Sequence, residues 1–227
     1  VNLSTVDQAN AFEVDVDDGA TTNTTAGSLT LNVSQDLTTV NVDTDNDVIA
    51  TLNVVNSGST NAAPHTYAIV DDTATEDLVI NTSGTAVTFG AATEAKHLNG
   101  AGMTGTLNAT VSANLLQITG GSGDDTITGI VTVKGVIDGG SGNDTFVTAV
   151  GDMSNTTLTG IEVIDITAGN AAFKASSLSG QSYIIKNDDG TDQLQINAAA
   201  LVDISSIDLS TLSFNNSALV TVTLTNF

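Results

Sequence analysis

The sequence predicts an all-β fold, a right-handed parallel β-helix or β-roll, from three observations. Apolar and polar residues alternate in short bursts, as at Leu29, Leu31 and Val33, and a period of two is typical of strands. The bursts recur roughly every ten residues between Gly, Asn, Asp and Ser, a spacing found in solenoid rungs but also in sandwiches and barrels. A nine-residue glycine-rich pattern occurs twice, which favours the solenoid.

Two local features depart from simple alternation. In IEVIDI, residues 161–166, Ile161 and Val163 follow one phase and Ile164 and Ile166 the other, which predicts a bulge or corner between Val163 and Ile164. The stretches 171–178 and 196–204 carry no sustained 3.6-residue stripe, so short helical turns are the most that we expect there.

The charge balance restricts the possible partners. The chain has 26 Asp and Glu residues against four basic residues, all Lys, for a formal net charge of -22. Nucleic acid and anionic membranes are poor partners because both need a basic patch, and no apolar run has the length for membrane insertion. Repulsion among so many carboxylates favours bound cations, and hard oxygen ligands favour Ca²⁺.

The sequence offers little catalytic chemistry, and we expect no enzyme activity. The absence of Cys excludes disulfides and thiolate metal sites, and two His are too few for a His-built zinc centre without carboxylate help. His65 and His97 have neither a GxSxG sequence nor a Cys to serve. Sugar-binding sites usually stack rings on aromatic side chains, and here there are only two Tyr and no Trp.

Glycine usage divides the chain near residue 115. Residues 1–115 are β-rich with few glycines and are expected to continue the solenoid or to form a separate sandwich. Residues 116–227 contain the glycine-dense repeats and are expected to form the calcium-binding roll. Because the chain begins at Val1, we expect it to be a fragment of a longer protein.

The repeated sequence is GGSGDDTIT at 120–128 and GGSGNDTFV at 139–147, and both copies fit G-G-x-G-x-D-x-U-x with U a large apolar residue. This pattern is the calcium-binding repeat of parallel β-rolls. Its glycines permit backbone conformations that turn carbonyl oxygens inward, and its Asp supplies a charged oxygen. The short strand that follows sends U into the core.

Two stacked copies predict one enclosed Ca²⁺ site. Asp125 and Asp144 are the expected side-chain ligands, since turns about 18 residues apart stack at the strand spacing of roughly 4.8 Å. Backbone carbonyls are expected to complete the shell of six to eight oxygens, from Ser122, Gly123, Ser141 and Gly142. Further candidates flank the turns and face either the ion or solvent: Asp124, Asn143 and Asp138.

The spacing of the copies adds a detail. The separation between Gly120 and Gly139 is one residue more than two nine-residue units, and the intervening stretch 129–138 contains no GGxG turn. One edge of the roll is therefore expected to carry the motif, with a one-residue bulge on the opposite side.

Four other acidic stretches are alternative cation loops, at 15–19, 43–47, 71–72 and 187–192. Crowded carboxylates repel one another unless a cation intervenes, but solvated loops are the simpler interpretation. The stretch at 43–47 is not an EF-hand, because Val48 replaces its Gly and Val54 its Glu.

The paired GGSGxDT units, followed by TGIEVIDIT at 159–167, resemble the hemolysin-type repeat region of type I-secreted proteins. The bias to Ala, Thr, Asn and Asp without Cys resembles Gram-negative S-layer proteins in particular. The specific resemblance covers about residues 118–170 and departs from long repeat toxins, which carry many tandem units.

The resemblance implies a structural module at the bacterial cell surface. It implies an extracellular, self-assembling S-layer lattice that is held together by Ca²⁺, with cell-surface polysaccharide as a further partner. It also implies export without an N-terminal signal, through a C-terminal secretion region with which LVTVTLTNF, residues 219–227, is compatible. The alternative is a stalk or repeat domain of a type I-secreted adhesin.

Overall fold

The computed structural model describes residues 2–3, 12–15, 27–33, 39–43, 49–56, 65–70, 79–89, 95–111, 113, 115–129, 134–149, 151–187, 193–198, 203, 205–207 and 221–224. These residues form a parallel β-solenoid, which confirms the fold class predicted from the alternation and the repeat. Strands paired side by side are one rung apart in the chain, so each ladder is parallel.

Successive strands alternate between two sheets. Among the described residues, sheet A has eight strands: β1 Asn2–Leu3, β3 Gly27–Val33, β5 Ile49–Asn56, β7 Val79–Gly84, β9 His97–Met103, β11 Gln117–Thr119, β13 Gly135–Asp138 and β16 Thr156–Thr159. In the same described part of the chain, sheet B has nine strands: β2 Phe12–Asp15, β4 Thr39–Asp43, β6 His65–Val70, β8 Val87–Phe89, β10 Leu107–Val111, β12 Thr126–Gly129, β14 Thr145–Thr148, β17 Val163–Ile166 and β19 Ile184–Asn187. Both sheets run across residue 115, where Gln117 pairs with His97 and Thr126 with Asn108.

A third sheet begins after residue 150. Sheet C contains β15 Gly151–Met153, β18 Asn170–Lys174, β20 Gln193–Ala198 and β21 Thr221–Leu224. The stretch 171–178 consists of the end of β18 and the helix α1, Ala175–Leu178. Of the stretch 196–204, residues 196–198 belong to β20, and residues 199–202 and 204 lie outside the described part. In the part of the chain that the structure describes, no helix has the length and apolar character needed to cross a bilayer.

The core is a stack of inward-facing side chains from neighbouring rungs. In sheet B, Ala109, Ile127, Phe146, Ile164 and Ile185 are register partners and all are buried. Burying a large apolar side chain contributes about 1.5–3 kcal/mol, so repeated stacking supplies much of the stability of the fold. The alternating pattern of the sequence therefore places polar residues outside and apolar residues inside.

The predicted change of phase near Val163 occurs where β17 begins. Val163 and Ile164 are consecutive and both buried, whereas their register partners Thr145 and Phe146 alternate between half-buried and buried. The pairing register of β17 with β14 continues through these residues without a shift, so the change of phase involves no bulge between Val163 and Ile164.

The extra residue between the repeats lies on the side without the motif. Gln117 to Thr126 and Val136 to Thr145 each span nine residues, so the two motif arcs have equal length. Thr126 to Val136 spans ten, one more than the equivalent arc from Asn108 to Gln117. The repeats can therefore stack in register, because the additional residue is absorbed away from them.

Candidate metal centre

The two copies of the nonapeptide form adjacent turns that join sheet A to sheet B. Ser141 donates its N–H to the carbonyl of Gly121 at 3.0 Å, and Thr145 donates to the carbonyl of Asp125 at 2.8 Å. The turns are thus tied to each other by backbone hydrogen bonds across one rung.

Glycine is required where these turns touch. A Cβ on Gly120 would overlap the carbonyl of Gly139 and the Oδ2 atom of Asp125. Gly140 and Gly142 have φ angles of +95° and +134°, a region that residues with side chains rarely adopt. The motif glycines therefore allow a closely packed cradle of backbone and carboxylate.

Asp125 and Asp144 both point inward, with exposed fractions of 1% and 0%. Asp125 accepts two backbone N–H groups at 2.7 Å, from Leu107 at Oδ1 and from Gly121 at Oδ2. Asp144 accepts one, from Asp125 at Oδ1, also at 2.7 Å. Its Oδ2 atom is buried and receives no hydrogen bond. A buried charged oxygen without a partner is costly, and it marks a place where a positive ligand would be favourable.

A third acidic residue, Glu162, lies next to Asp144 on the following rung. Asp125, Asp144 and Glu162 each stand immediately before a strand of sheet B, in three successive turns. The Oε2 atom of Glu162 accepts the N–H of Asp144 at 2.7 Å, the same bond that Asp144 makes with Asp125. We call these three residues the acidic column. Glu162 lies outside the nonapeptide, and its position two nine-residue units after Asp144 was the signal that could have identified it.

The column has an unfavourable electrostatic environment. Burial is the main reason that the pKa of Asp144 rises from 3.8 to about 6, and the carboxylates of Asp125, Glu162 and Asp124 raise it further against the opposing hydrogen bond from Asp125. Burial also raises the pKa of Asp125, opposed by its hydrogen bonds to Gly121 and Leu107. The charges that perturb Asp144 are all negative, so a cation would relieve the repulsion.

Ser122, Gly123, Ser141 and Gly142 lie at the surface of the turns, with Gly123 half-buried and the others exposed. Ser122 donates its N–H to the carbonyl of Met103 at 3.1 Å. None of the backbone hydrogen bonds between the described turns ends on the carbonyl oxygens of these four residues. These carbonyls therefore accept no backbone hydrogen bond from the described turns and are candidate ligands for a cation.

The flanking candidates make local hydrogen bonds. The Oδ1 atom of Asp124 accepts the N–H of the exposed Asn143 at 2.9 Å, bridging the two turns. The Oδ1 atom of Asp138 accepts the N–H of Gly140 at 3.2 Å. Asp124 is exposed and Asp138 half-buried, so both lie at the rim of the turns.

The donor set suits calcium. Among the described residues no three side chains of His, Cys, Asp or Glu converge on one point, so a site here must take most of its ligands from the backbone. Ca²⁺ accepts mixtures of carbonyl and carboxylate oxygens in flexible geometry. The unpaired Oδ2 of Asp144 and the carbonyls of the turns are such a mixture.

The described residues of the other sequence candidates lie in strands and not in the two motif turns. Of the four acidic stretches, Asp15, Asp43 and Asn187 end β2, β4 and β19, and the remaining residues lie outside the described part. His97 begins β9 and is half-buried on the outward side of sheet A.

Comparison of the chain with models of protein families, with characterised proteins and with solved structures finds no match.

Proposed function

We propose that this chain is a structural, non-catalytic module of a secreted bacterial surface protein, which binds Ca²⁺ and assembles into an S-layer lattice. The observation that carries the calcium part is the buried Oδ2 atom of Asp144, which has no hydrogen bond in a turn made of glycine backbone and carboxylates. The net charge of -22 supports the same conclusion, because cations would offset repulsion between and within copies.

Calcium binding would also explain how such a chain becomes stably folded after export. Extracellular calcium modules bind with dissociation constants of about 10⁻⁴ to 10⁻³ M, and a ten-fold excess of ligand contributes about 1.4 kcal/mol per site. A protein of this kind is less stable where calcium is scarce and is stabilised outside the cell. Bound ions would act together with relief of repulsion in the acidic column.

An exposed apolar pair supports self-association. Leu116 and Val136 are the large apolar side chains that the described residues expose, at 50% and 38%. They are adjacent, since Val136 donates its N–H to the carbonyl of Leu116 at 3.0 Å. Gly135 packs against the backbone carbonyl of Leu116 and has no side chain that could cover it. We place a contact with a second copy of the chain at this pair.

The first test of the proposal is thermal unfolding in calcium, in magnesium and in chelator. Calcium is expected to raise the melting temperature, and magnesium to substitute poorly because it demands a smaller octahedral shell. Melting curves that coincide in calcium and chelator would show that the nonapeptides are only structural turns.

The second test separates the lattice from the adhesin stalk. Electron microscopy of the calcium-treated protein is expected to show ordered two-dimensional arrays. Monodisperse rods would support the stalk instead, since a solenoid can serve as a spacer without making lateral contacts.

A further inference from the structure

The two copies of the nonapeptide are not equivalent in the structure. In the first copy Gly121 donates its N–H to the Oδ2 atom of Asp125 at 2.7 Å. In the second copy the equivalent donor, Gly140, is bonded at 3.2 Å to Asp138 instead. The Oδ2 atom of Asp144 consequently lacks the hydrogen bond that its counterpart has.

One difference between the copies lies at the end of the preceding strand. β11 ends at Thr119 and β13 at Asp138, and these two residues are register partners. The carboxylate of Asp138 reaches the N–H two residues ahead, a common local bond of Asp. Gly140 has a φ of +95°, whereas Gly121 has no positive φ. Asp138 therefore takes the donor that would otherwise satisfy Asp144.

Glu162 adds a second carboxylate on the side of Asp144 away from Asp125. One of its oxygens, Oε2, accepts the N–H of Asp144 at 2.7 Å. Its side chain is half-buried whereas Asp144 is buried, so Glu162 is the member of this pair that solvent reaches. The next equivalent position, immediately before β19, is the buried aromatic residue Tyr183, and the acidic column ends there.

We infer that the cation binds between Asp144 and Glu162, which lie on neighbouring rungs, and not between Asp125 and Asp144 as the paired motifs alone predict. Oδ2 of Asp144 and the carboxylate of Glu162 are the side-chain ligands, and backbone carbonyls of the second and third turns complete the shell. Both oxygens of Asp125 already accept backbone N–H groups, so its carboxylate has less free acceptor capacity for an ion than the unpaired Oδ2 of Asp144. The inference rests on the proposed calcium binding and specifies where it occurs.

The test is isothermal titration of the whole chain with CaCl₂, comparing wild type with Glu162→Gln, Asp125→Asn and Asp165→Asn. Glu162→Gln removes the charge but keeps an oxygen that can accept the N–H of Asp144, so the turn should still form. Asp165 lies on β17 three residues from Glu162 and is the control for loss of a nearby charge. Circular dichroism of each variant in chelator reports whether the strands are retained.

Glu162→Gln is expected to weaken calcium binding by about ten-fold or more, because affinity depends on the charge of the ligands. Asp125→Asn and Asp165→Asn are expected to change it by less than about three-fold. A loss of binding in Asp125→Asn with retained strands, or unchanged binding in Glu162→Gln, would overturn the placement while leaving calcium binding itself intact. A wild-type chain that binds no calcium would overturn the proposed function as well.

Discussion

The backbone N–H of Asp125 donates to the Oδ1 atom of Asp144 at 2.7 Å, so the acidic residue of one repeat supports the backbone of the other. Asp144 is in turn supported by Glu162 through the same kind of bond. Hydrogen bonds to a charged acceptor contribute about 1.5–3 kcal/mol, more than those between neutral groups. The acidic column is therefore a structural element of the calcium-free protein as well as a candidate ion site.

The hydrogen bonds of Asp125 should stabilise the protein even when calcium is removed by chelator. Asp125→Asn places an amide donor against one of two backbone N–H groups and is expected to lower the free energy of unfolding by about 1–3 kcal/mol. Urea unfolding at pH 7 in chelator measures this loss, with Asp165→Asn as the control. Equal stability of Asp125→Asn and wild type would show that these two hydrogen bonds contribute nothing.

The calcium-free protein should become less stable as the pH rises through about 6. The native pKa of Asp144 is raised by burial from 3.8 to about 6, so the folded state binds this proton more tightly than the unfolded state. The resulting stabilisation is complete below about pH 4 and is lost as the pH rises through 6. Asp125, whose pKa is also raised, contributes in the same direction.

Urea unfolding in chelator at pH 5 and pH 7.5 checks this dependence. Asp144→Asn should flatten it, because the amide does not titrate. Saturating calcium should oppose the loss, since the ion binds the ionised carboxylate. If Asp144→Asn kept the full pH dependence of wild type, the titrating group would lie elsewhere.

Asp138→Thr should convert the second turn into a copy of the first. With Thr at 138, as at the register partner Thr119, Gly140 is free to donate to the Oδ2 atom of Asp144. Satisfying that buried oxygen is expected to stabilise the calcium-free protein by about 1 kcal/mol, or about 2–4 °C in melting temperature. The calcium-dependent shift should shrink. A lower melting temperature in chelator would contradict the competition between Asp138 and Asp144.

Replacing the exposed apolar pair, Leu116 and Val136, should block assembly without changing the affinity for calcium. Leu116→Ser combined with Val136→Thr removes most of the apolar surface that these two side chains expose. Sedimentation in calcium should then show monomer at protein concentrations where wild type assembles, with unchanged calcium affinity. Thr128→Ser, on the half-buried outward side of β12, is the matched control. Assembly of the double variant at the wild-type concentration would place the contact elsewhere.

Much of the fold follows from the sequence because strand alternation and turn residues are local signals. The inward positions of Ile127 and Phe146 follow from the period of two. The stacking of Asp125 on Asp144 follows from their separation, which is two nine-residue units plus one residue. The two arcs that carry the motif have equal length, and the extra residue lies in the arc between them. Local pattern thus determined which residues face inward and which turns are neighbours.

The tertiary structure decided which donor each carboxylate receives and which residues join the column. The partners lie one rung away, and rungs differ in length, since the rung from Thr126 to Thr145 is one residue longer than the rungs before and after it. The competition for the N–H of Gly140 depends on a φ angle of +95°, which the shared GGSG letters do not specify. Glu162 belongs to the acidic column because the pairing register of β17 with β14 places it beside Asp144, although its turn lacks the motif.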